Sequence, residues 1–258
     1  MSILADILAS TRADLERRKR AVPEAALPRA GEGREHAFRD ALAAPGLSII
    51  AEHKRRSPSA GTIRPASSVS EVVQAYERGG AAAISVLTDE RYFDGSLEDL
   101  REAAAACRRP LLRKDFIIDS YQLTEAASAG ASAVLLIVAA LDPAALAALH
   151  GAAGERGLDV LVEVHDRAEL EVACDIGAEI IGVNNRDLRD FSVDVERTFR
   201  LLDAMPDTAI VVAESGIGTP AQLARLHREG VHAALIGERL MREDDPASAL
   251  EALLKDAL

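Results

Sequence analysis

The chain has 258 residues, 48% of them hydrophobic, yet only 3% are aromatic and there is no Trp. That length suits one barrel of roughly 250 residues or two smaller domains, with a core built from Ala, Leu, Val and Ile. A net charge of −12 disfavours nucleic acid and anionic membranes as partners, while leaving room for a local basic pocket that takes a small anion.

The first 45 or so residues precede any strand pattern. Ile3, Leu4, Ile7, Leu8 and Leu15 form an apolar helical stripe, which Pro23, Pro28 and Gly31 to Gly33 then break. Periodicity alone favours a helix that plugs one end of a barrel over one that lies on its catalytic face. The basic run Arg17-Arg18-Lys19-Arg20 reads as a solvated helix face or a helix C-terminus.

Short apolar runs then follow at 49–51, 84–87, 111–112, 134–138, 160–162, 180–183, 210–213 and 233–236. Continuous apolar runs are the mark of parallel strands buried on both faces. Helical patterns separate them: Val69, Val72, Val73 and Tyr76 mark one apolar face, and Leu223, Leu226 and His227 follow a Thr219-Pro220 helix start. Glycines at Gly79-Gly80, Gly130, Gly157, Gly177 and Gly230 stand just before strands, where a left-handed residue ends a helix. Eight strand ends at a spacing of about 20–35 residues predict a closed (β/α)8 barrel, with the last helix over 246–258. The expected organisation is one domain over 1–258, divided into a helical extension (1–45) and the barrel (46–258). The stretch 55–64, rich in Ser, Pro and Gly, reads as a mobile loop.

Cys107 and Cys174 lie far apart in helical contexts and belong to no metal-type cluster, which fits free, mostly buried thiols in a reducing compartment. No signal-peptide pattern opens the chain. The apolar stretch 131–141 is too short to span a membrane and is followed by Asp142-Pro143. A cytoplasmic protein without a membrane partner is expected.

The residues that end the strands carry the chemistry. Glu52 and Lys54 are two apart on the first strand, so they share a face, with His53 pointing outward between them. Lys114 ends the third strand, and a lysine turned into a barrel must be paired or functional. Glu163 and Glu214 end the fifth and seventh strands, and Asn184-Asn185 the sixth. In a barrel of this kind these ends converge at one mouth, where carboxylates and ammonium groups supply general acids and bases. His165-Asp166 could polarise a group near Glu163, although an N-cap role for Asp166 is the simpler account.

A second constellation suits phosphate. Ser215-Gly216-Ile217-Gly218 follows the seventh strand and Gly237-Glu238 the eighth, the loops that form the recurrent phosphate site of such barrels. Arg56 and Ser57 in the first loop could add a guanidinium and a hydroxyl. Gly216, Gly218 and Ala221 match a dinucleotide fingerprint, but too little chain remains for the binding half behind it. The histidines have no ligand spacing, so no metal is expected.

In order and spacing these motifs resemble the indole-3-glycerol-phosphate synthase family over nearly the whole chain. The resemblance rests on the stretch from Ile50 to Ser59 (IAEHKRRSPS), Ser85-Val86-Leu87-Thr88, Leu112-Arg113-Lys114-Asp115-Phe116 and Val162-Glu163-Val164-His165. It continues through Gly182-Val183-Asn184-Asn185-Arg186-Asp187-Leu188, Ala213-Glu214-Ser215-Gly216-Ile217 and Leu235-Ile236-Gly237-Glu238. It implies a (β/α)8 TIM barrel whose N-terminal helical extension lies over the catalytic face, reversing the expectation from periodicity.

It also implies an enzyme of tryptophan biosynthesis, without cofactor. The phosphosugar substrate, 1-(2-carboxyphenylamino)-1-deoxyribulose 5-phosphate, is closed to an indole with loss of carbon dioxide and water. Lys114 then stands as general acid and Glu163 as general base. Lys54 holds the departing carboxylate and is available as a proton donor in dehydration, and Glu52 either assists proton removal or holds Lys54. Asn184, Glu214, Ser215 and Arg186 position the substrate, and Leu87 and Phe116 face its ring. Arg56, Ser57, Gly216, Gly237 and Glu238 form the phosphate site. The protein is expected as a monomer or weak homo-oligomer. Two other readings stay open: another phosphosugar isomerase or lyase on the same barrel, and a non-catalytic sensor of a phosphate ligand.

Overall fold

A computed structural model describes residues 3–28, 35–187 and 191–257. The expected breakers Gly31 to Gly33, and Leu188 of the fifth motif, lie outside the described residues.

Eight parallel strands close into a barrel: β1 (Ser48–His53), β2 (Ala83–Leu87), β3 (Leu111–Lys114), β4 (Ala133–Ile137), β5 (Asp159–Val164), β6 (Ile180–Asn184), β7 (Ile210–Glu214) and β8 (Ala233–Ile236). Each strand pairs with its sequence neighbours, and β8 closes on β1. Every residue of these strands except Lys114 is buried, as expected when helices cover the outside and side chains fill the inside. Val138, read as the end of the fourth strand, instead opens a 3-10 turn over Val138–Ala140.

The helix starts follow local chemistry. Asp142 caps the helix Pro143–Gly154, accepting from Ala145 N–H, with proline at its first turn. Thr219 and Gln222 form a reciprocal capping box on the helix Pro220–Arg228, which buries Leu223 and Leu226 but leaves His227 exposed. The glycines expected to turn the chain into the next strand do so: Gly80, Gly130, Gly157, Gly177 and Gly230 all have φ between 69° and 91°. The stretch read as a mobile loop forms a short antiparallel hairpin, Arg56–Ser57 against Gly61–Thr62.

Among the described residues two α-helices precede the barrel, one at each end. α1 (Ile3–Ala21) lies at the C-terminal ends of the strands. Its Lys19 meets Asp119 at 2.6 Å and its Arg18 meets Glu125 at 2.8 Å, both on or beside the helix Ser120–Ser128 that follows β3. The basic run therefore does end a helix, but two of its members tie that helix to the barrel. Ile7 and Leu8 join the apolar cluster that contains Phe116, Leu135 and Ile137.

α2 (Ala37–Leu42) plugs the opposite end. Its Phe38 and Leu42 are fully buried, and the Phe38 and Arg39 backbone N–H groups donate to the Asp159 carboxylate at the start of β5, at 3.1 and 2.9 Å. The sequence offered one helix and two places for it; the molecule uses two helices and fills both. Cys107 and Cys174 are free and half-buried, less enclosed than expected. Among the described residues no helix is long and apolar enough to cross a membrane.

Candidate active site

Register brings the strand-end residues to one level. Leu87 pairs with Lys114, Ile137 with Glu163, Asn184 with Glu214, and Glu52 with Ser85. The polar members of this ring meet inside the mouth. Lys114 Nζ lies 3.1 Å from Glu214, 3.7 Å from Glu163 and 3.9 Å from Glu52. Lys54 Nζ lies 2.6 Å from the other oxygen of Glu52, and Ser85 donates to Glu52 at 3.4 Å.

Two glycines make this cluster possible. A Cβ on Gly182 of β6 would collide with the Glu214 carboxylate. One on Gly237 would come within 2.5 Å of a Glu52 carboxylate oxygen and 3.0 Å of its Cβ. Glycine at the top of a strand here is a seat for a carboxylate from the neighbouring strand.

Three carboxylates and two ammonium groups leave the cluster one negative charge in excess. Glu214 carries the consequence. Burial pushes its pKa up to about 7, against the pull of Lys114, and the nearby Glu163 charge adds to the rise. Neither Glu214 oxygen has a hydrogen-bond partner of good geometry among the described residues, so the contact with Lys114 is an ion pair. Burial works against the charge on Lys114, but Glu214, Glu163 and Glu52 together outweigh it and hold the ammonium protonated beyond the ordinary lysine range. For Glu52, burial is likewise outweighed, by Lys54 and Lys114, and its pKa is lowered.

These groups open into a cavity of about 610 Å3, large enough for a drug-sized ligand. One wall is apolar: Leu87, Phe93, Phe116, Leu135, Ile137 and Leu235. The Phe93 and Phe116 rings sit 6.4 Å apart, tilted by 37°. The other end is made by the loops after β7 and β8. There Ser215 and Gly216 both take positive φ, at 66° and 76°, an unusual conformation for a serine at a strand end.

Asn185 braces this turn. Its side-chain amide donates to the Ser215 carbonyl at 3.2 Å, and its oxygen accepts from Thr198. Asn184, beside it in sequence, faces the cavity, where its side-chain oxygen accepts the Arg186 N–H at 3.0 Å.

Of the residues singled out in the sequence, Glu52, Lys54, Ser57, Leu87, Lys114, Phe116, Glu163, Asn184, Arg186, Glu214, Ser215, Gly216, Gly237 and Glu238 all line this cavity. Arg56 does not. Its guanidinium turns back to donate to the Tyr92 carbonyl at 3.3 Å and to the Arg91 carbonyl, and so ties the first loop to the second. His53 is buried away from the cavity against Ser67, and burial lowers its pKa to about 4, reinforced by Arg55.

Sequence reasoning missed Arg239 and Arg242, which line the cavity beside Gly218 and Glu238. The signal was available: both follow the eighth-strand glycine at helical spacing, in the helix Glu238–Met241 or at its end. Arg242 is paired with Glu238 at 2.8 Å and Arg239 with Glu243. Among the described residues no group of three or more His, Cys, Asp or Glu is placed to hold a metal ion.

The family model for indole-3-glycerol phosphate synthase matches residues 4–253. A protein of that name from a Nocardioides species is 48% identical over 256 residues, 98% of each chain. One from Koribacter versatilis is 48% identical over 257 residues, covering 98% of this chain and 99% of its own. Indole-3-glycerol phosphate synthase 2 of Streptomyces coelicolor is 45% identical over 254 residues, 98% of each. Among solved structures, thiamine phosphate pyrophosphorylase from Pyrococcus furiosus superposes with a TM-score of 0.63 at 20% identity, over 82% of this chain and 95% of its own, a likeness of fold alone. Match over nearly the full length, at nearly half identity, places this chain in the indole-3-glycerol phosphate synthase family.

Proposed function

We propose that this protein converts 1-(2-carboxyphenylamino)-1-deoxyribulose 5-phosphate to indole-3-glycerol phosphate, carbon dioxide and water. The observation that carries the reading is Lys114, an ammonium held among three carboxylates at the floor of a cavity whose one wall is apolar and whose far end is built from the loops after β7 and β8. The substrate has matching parts in the same order: an aromatic ring, a carbonyl to be protonated, and a phosphate.

In this reading the anthranilate ring lies on Leu87, Phe93 and Phe116, with its carboxylate toward Lys54. The ring carbon that bears the carboxylate attacks the ribulose carbonyl. Lys114 donates its proton to the carbonyl oxygen as negative charge develops there, and the three carboxylates keep that proton available until then. Carbon dioxide departs, leaving its bonding pair to restore the aromatic ring. The new hydroxyl then leaves as water with a proton from an ammonium, and Glu163 removes the proton whose loss completes the indole double bond.

Asn184, Arg186, Glu214 and Ser215 hold the chain hydroxyls and the amine. Ser57, Gly216, Gly237 and Glu238 surround the phosphate, the last through its backbone N–H, with Arg239 and Arg242 supplying positive charge at the same end. Arg56 keeps a place in this reading only by fixing the first loop. The enzyme works as a monomer or weak homo-oligomer in the cytoplasm, where a tryptophan-pathway reaction draws on soluble phosphosugar.

The test is incubation of the purified protein with this substrate, following indole fluorescence. Growth of the signal to the equivalent of added substrate supports the reading. Tight binding without any signal favours a phosphate-ligand sensor, and turnover of an isomerase substrate instead favours a neighbouring barrel enzyme.

A further inference from the structure

The proposed chemistry leaves unused His165, a half-buried titratable side chain beside its base. His165 follows Glu163 by two residues and projects to the same side of β5. Its Nε2 lies 3.6 Å from Glu163 Oε1, while Glu163 Oε2 is the oxygen that faces Lys114. That Nε2 is fully buried and has no hydrogen-bond partner among the described residues. The other ring nitrogen is held: Nδ1 lies 3.1 Å from Glu169 Oε2, and the same oxygen accepts the His165 backbone N–H at 2.7 Å. A buried polar atom left without a partner is costly, and such exceptions mark functional places. His165 also lines a second cavity of about 410 Å3, together with Asp166, Arg167, Asp187, Arg197 and Arg200. One edge of the ring therefore meets the base of the main cavity, and another meets a separate opening.

We infer that His165 is a positioning residue for Glu163: as an imidazolium held by Glu169, it fixes Glu163 Oε1 and balances its charge, leaving Oε2 free to act as the base. This rests on the reading of Glu163 given above. The imidazolium also supplies the one positive charge that the five-residue cluster lacks.

The charged groups around the ring favour that state. Burial opposes protonation, but the Glu169 hydrogen bond, the Glu163 charge and the Glu169 charge outweigh it and raise the His165 pKa above its ordinary value. Arg197 acts in the opposite sense, blunted by its ion pair with Asp187 at 3.7 Å. Of the remaining charges on the second cavity, Arg200 is paired with Asp194 and Arg167 with Asp203, while Asp166 caps the helix Arg167–Asp175.

Two measurements decide the matter. The first is the pH profile of kcat for the wild type and His165→Asn. Loss of the imidazolium removes a positive charge beside the base, so the acid limb should move up by about one pH unit or more, with KM little changed. Glu169→Gln should move it the same way by less. A fall in kcat of equal size at every pH, with the limb in place, overturns the inference. The second needs no turnover: the titration of His165 followed by NMR in histidine-labelled protein, wild type against Glu163→Gln. The His165 midpoint should fall in the variant, and an unchanged midpoint overturns the inference whatever the substrate proves to be. A wild type that titrates as expected but does not turn over the substrate contradicts the proposed function alone.

Discussion

β5 carries an acid at each end, and the two are treated in opposite ways. Asp159, at the N-terminal end, receives two backbone N–H groups from α2 and a contact from His36 at 3.0 Å. Its role is complete within the folded chain. Glu163, four residues on and on the same face, meets Lys114 at 3.7 Å and the unpartnered nitrogen of His165 at 3.6 Å. At that end Glu214 keeps two buried oxygens without a good hydrogen bond among the described residues. A barrel end that satisfies its polar groups is serving stability. One that leaves them short is waiting for a ligand to finish the set.

The comparison breaks most visibly at Lys114. Lys114→Ala should lower kcat by about 100-fold or more, the usual scale for a lost acid; a steady-state assay that finds near-normal kcat removes Lys114 from that role. Glu163→Gln keeps the shape and loses the basicity, so kcat should fall more than KM rises. A pure KM effect in the same assay would assign Glu163 to positioning.

At the other end, Asp159→Ala strands two backbone N–H groups, one buried and one half-buried, and should cost about 1–3 kcal/mol of stability. Denaturant unfolding measures that cost, and kcat of the folded variant should stay at the wild-type level. A large loss of kcat would erase the distinction between the two ends.

An effect of similar size and opposite sign is expected at Glu214. Between pH of about 4.5 and about 7 the folded protein retains a proton that the unfolded chain has released, so stability falls as pH rises through that window. Glu214→Gln removes the cost and should stabilise the protein by about 1–3 kcal/mol at pH 8, with the gain fading toward pH 4.5. Melting curves at the two pH values check this, and a gain independent of pH contradicts it.

The end that opens into the cavity was the more legible in sequence, for a physical reason. A parallel strand buried on both faces is an unbroken apolar run, so a glutamate or lysine at its end stands out, as at Glu52, Lys114, Glu163 and Glu214. Register, with its period of two, then told which neighbours share the inner face. What depends on contacts between distant segments was hidden. Nothing local in Ala37–Leu42 announces that it plugs the barrel, because Asp159, its anchor, is more than a hundred residues away. Arg56 sits in a motif that suits an anion, yet two carbonyls from the next loop claim it. Gly182 and Gly237 read as turn or strand glycines, and only the packed barrel shows which carboxylate needs the missing Cβ.

If the charged end acts as proposed, ring closure is coupled to loss of the substrate carboxylate. The most direct measurement of that coupling is the release of carbon dioxide from substrate labelled in that carboxylate, set against the indole product formed in the same reaction. One molecule of labelled carbon dioxide is expected for each indole. Indole-free release, or no release from substrate that binds, would contradict it.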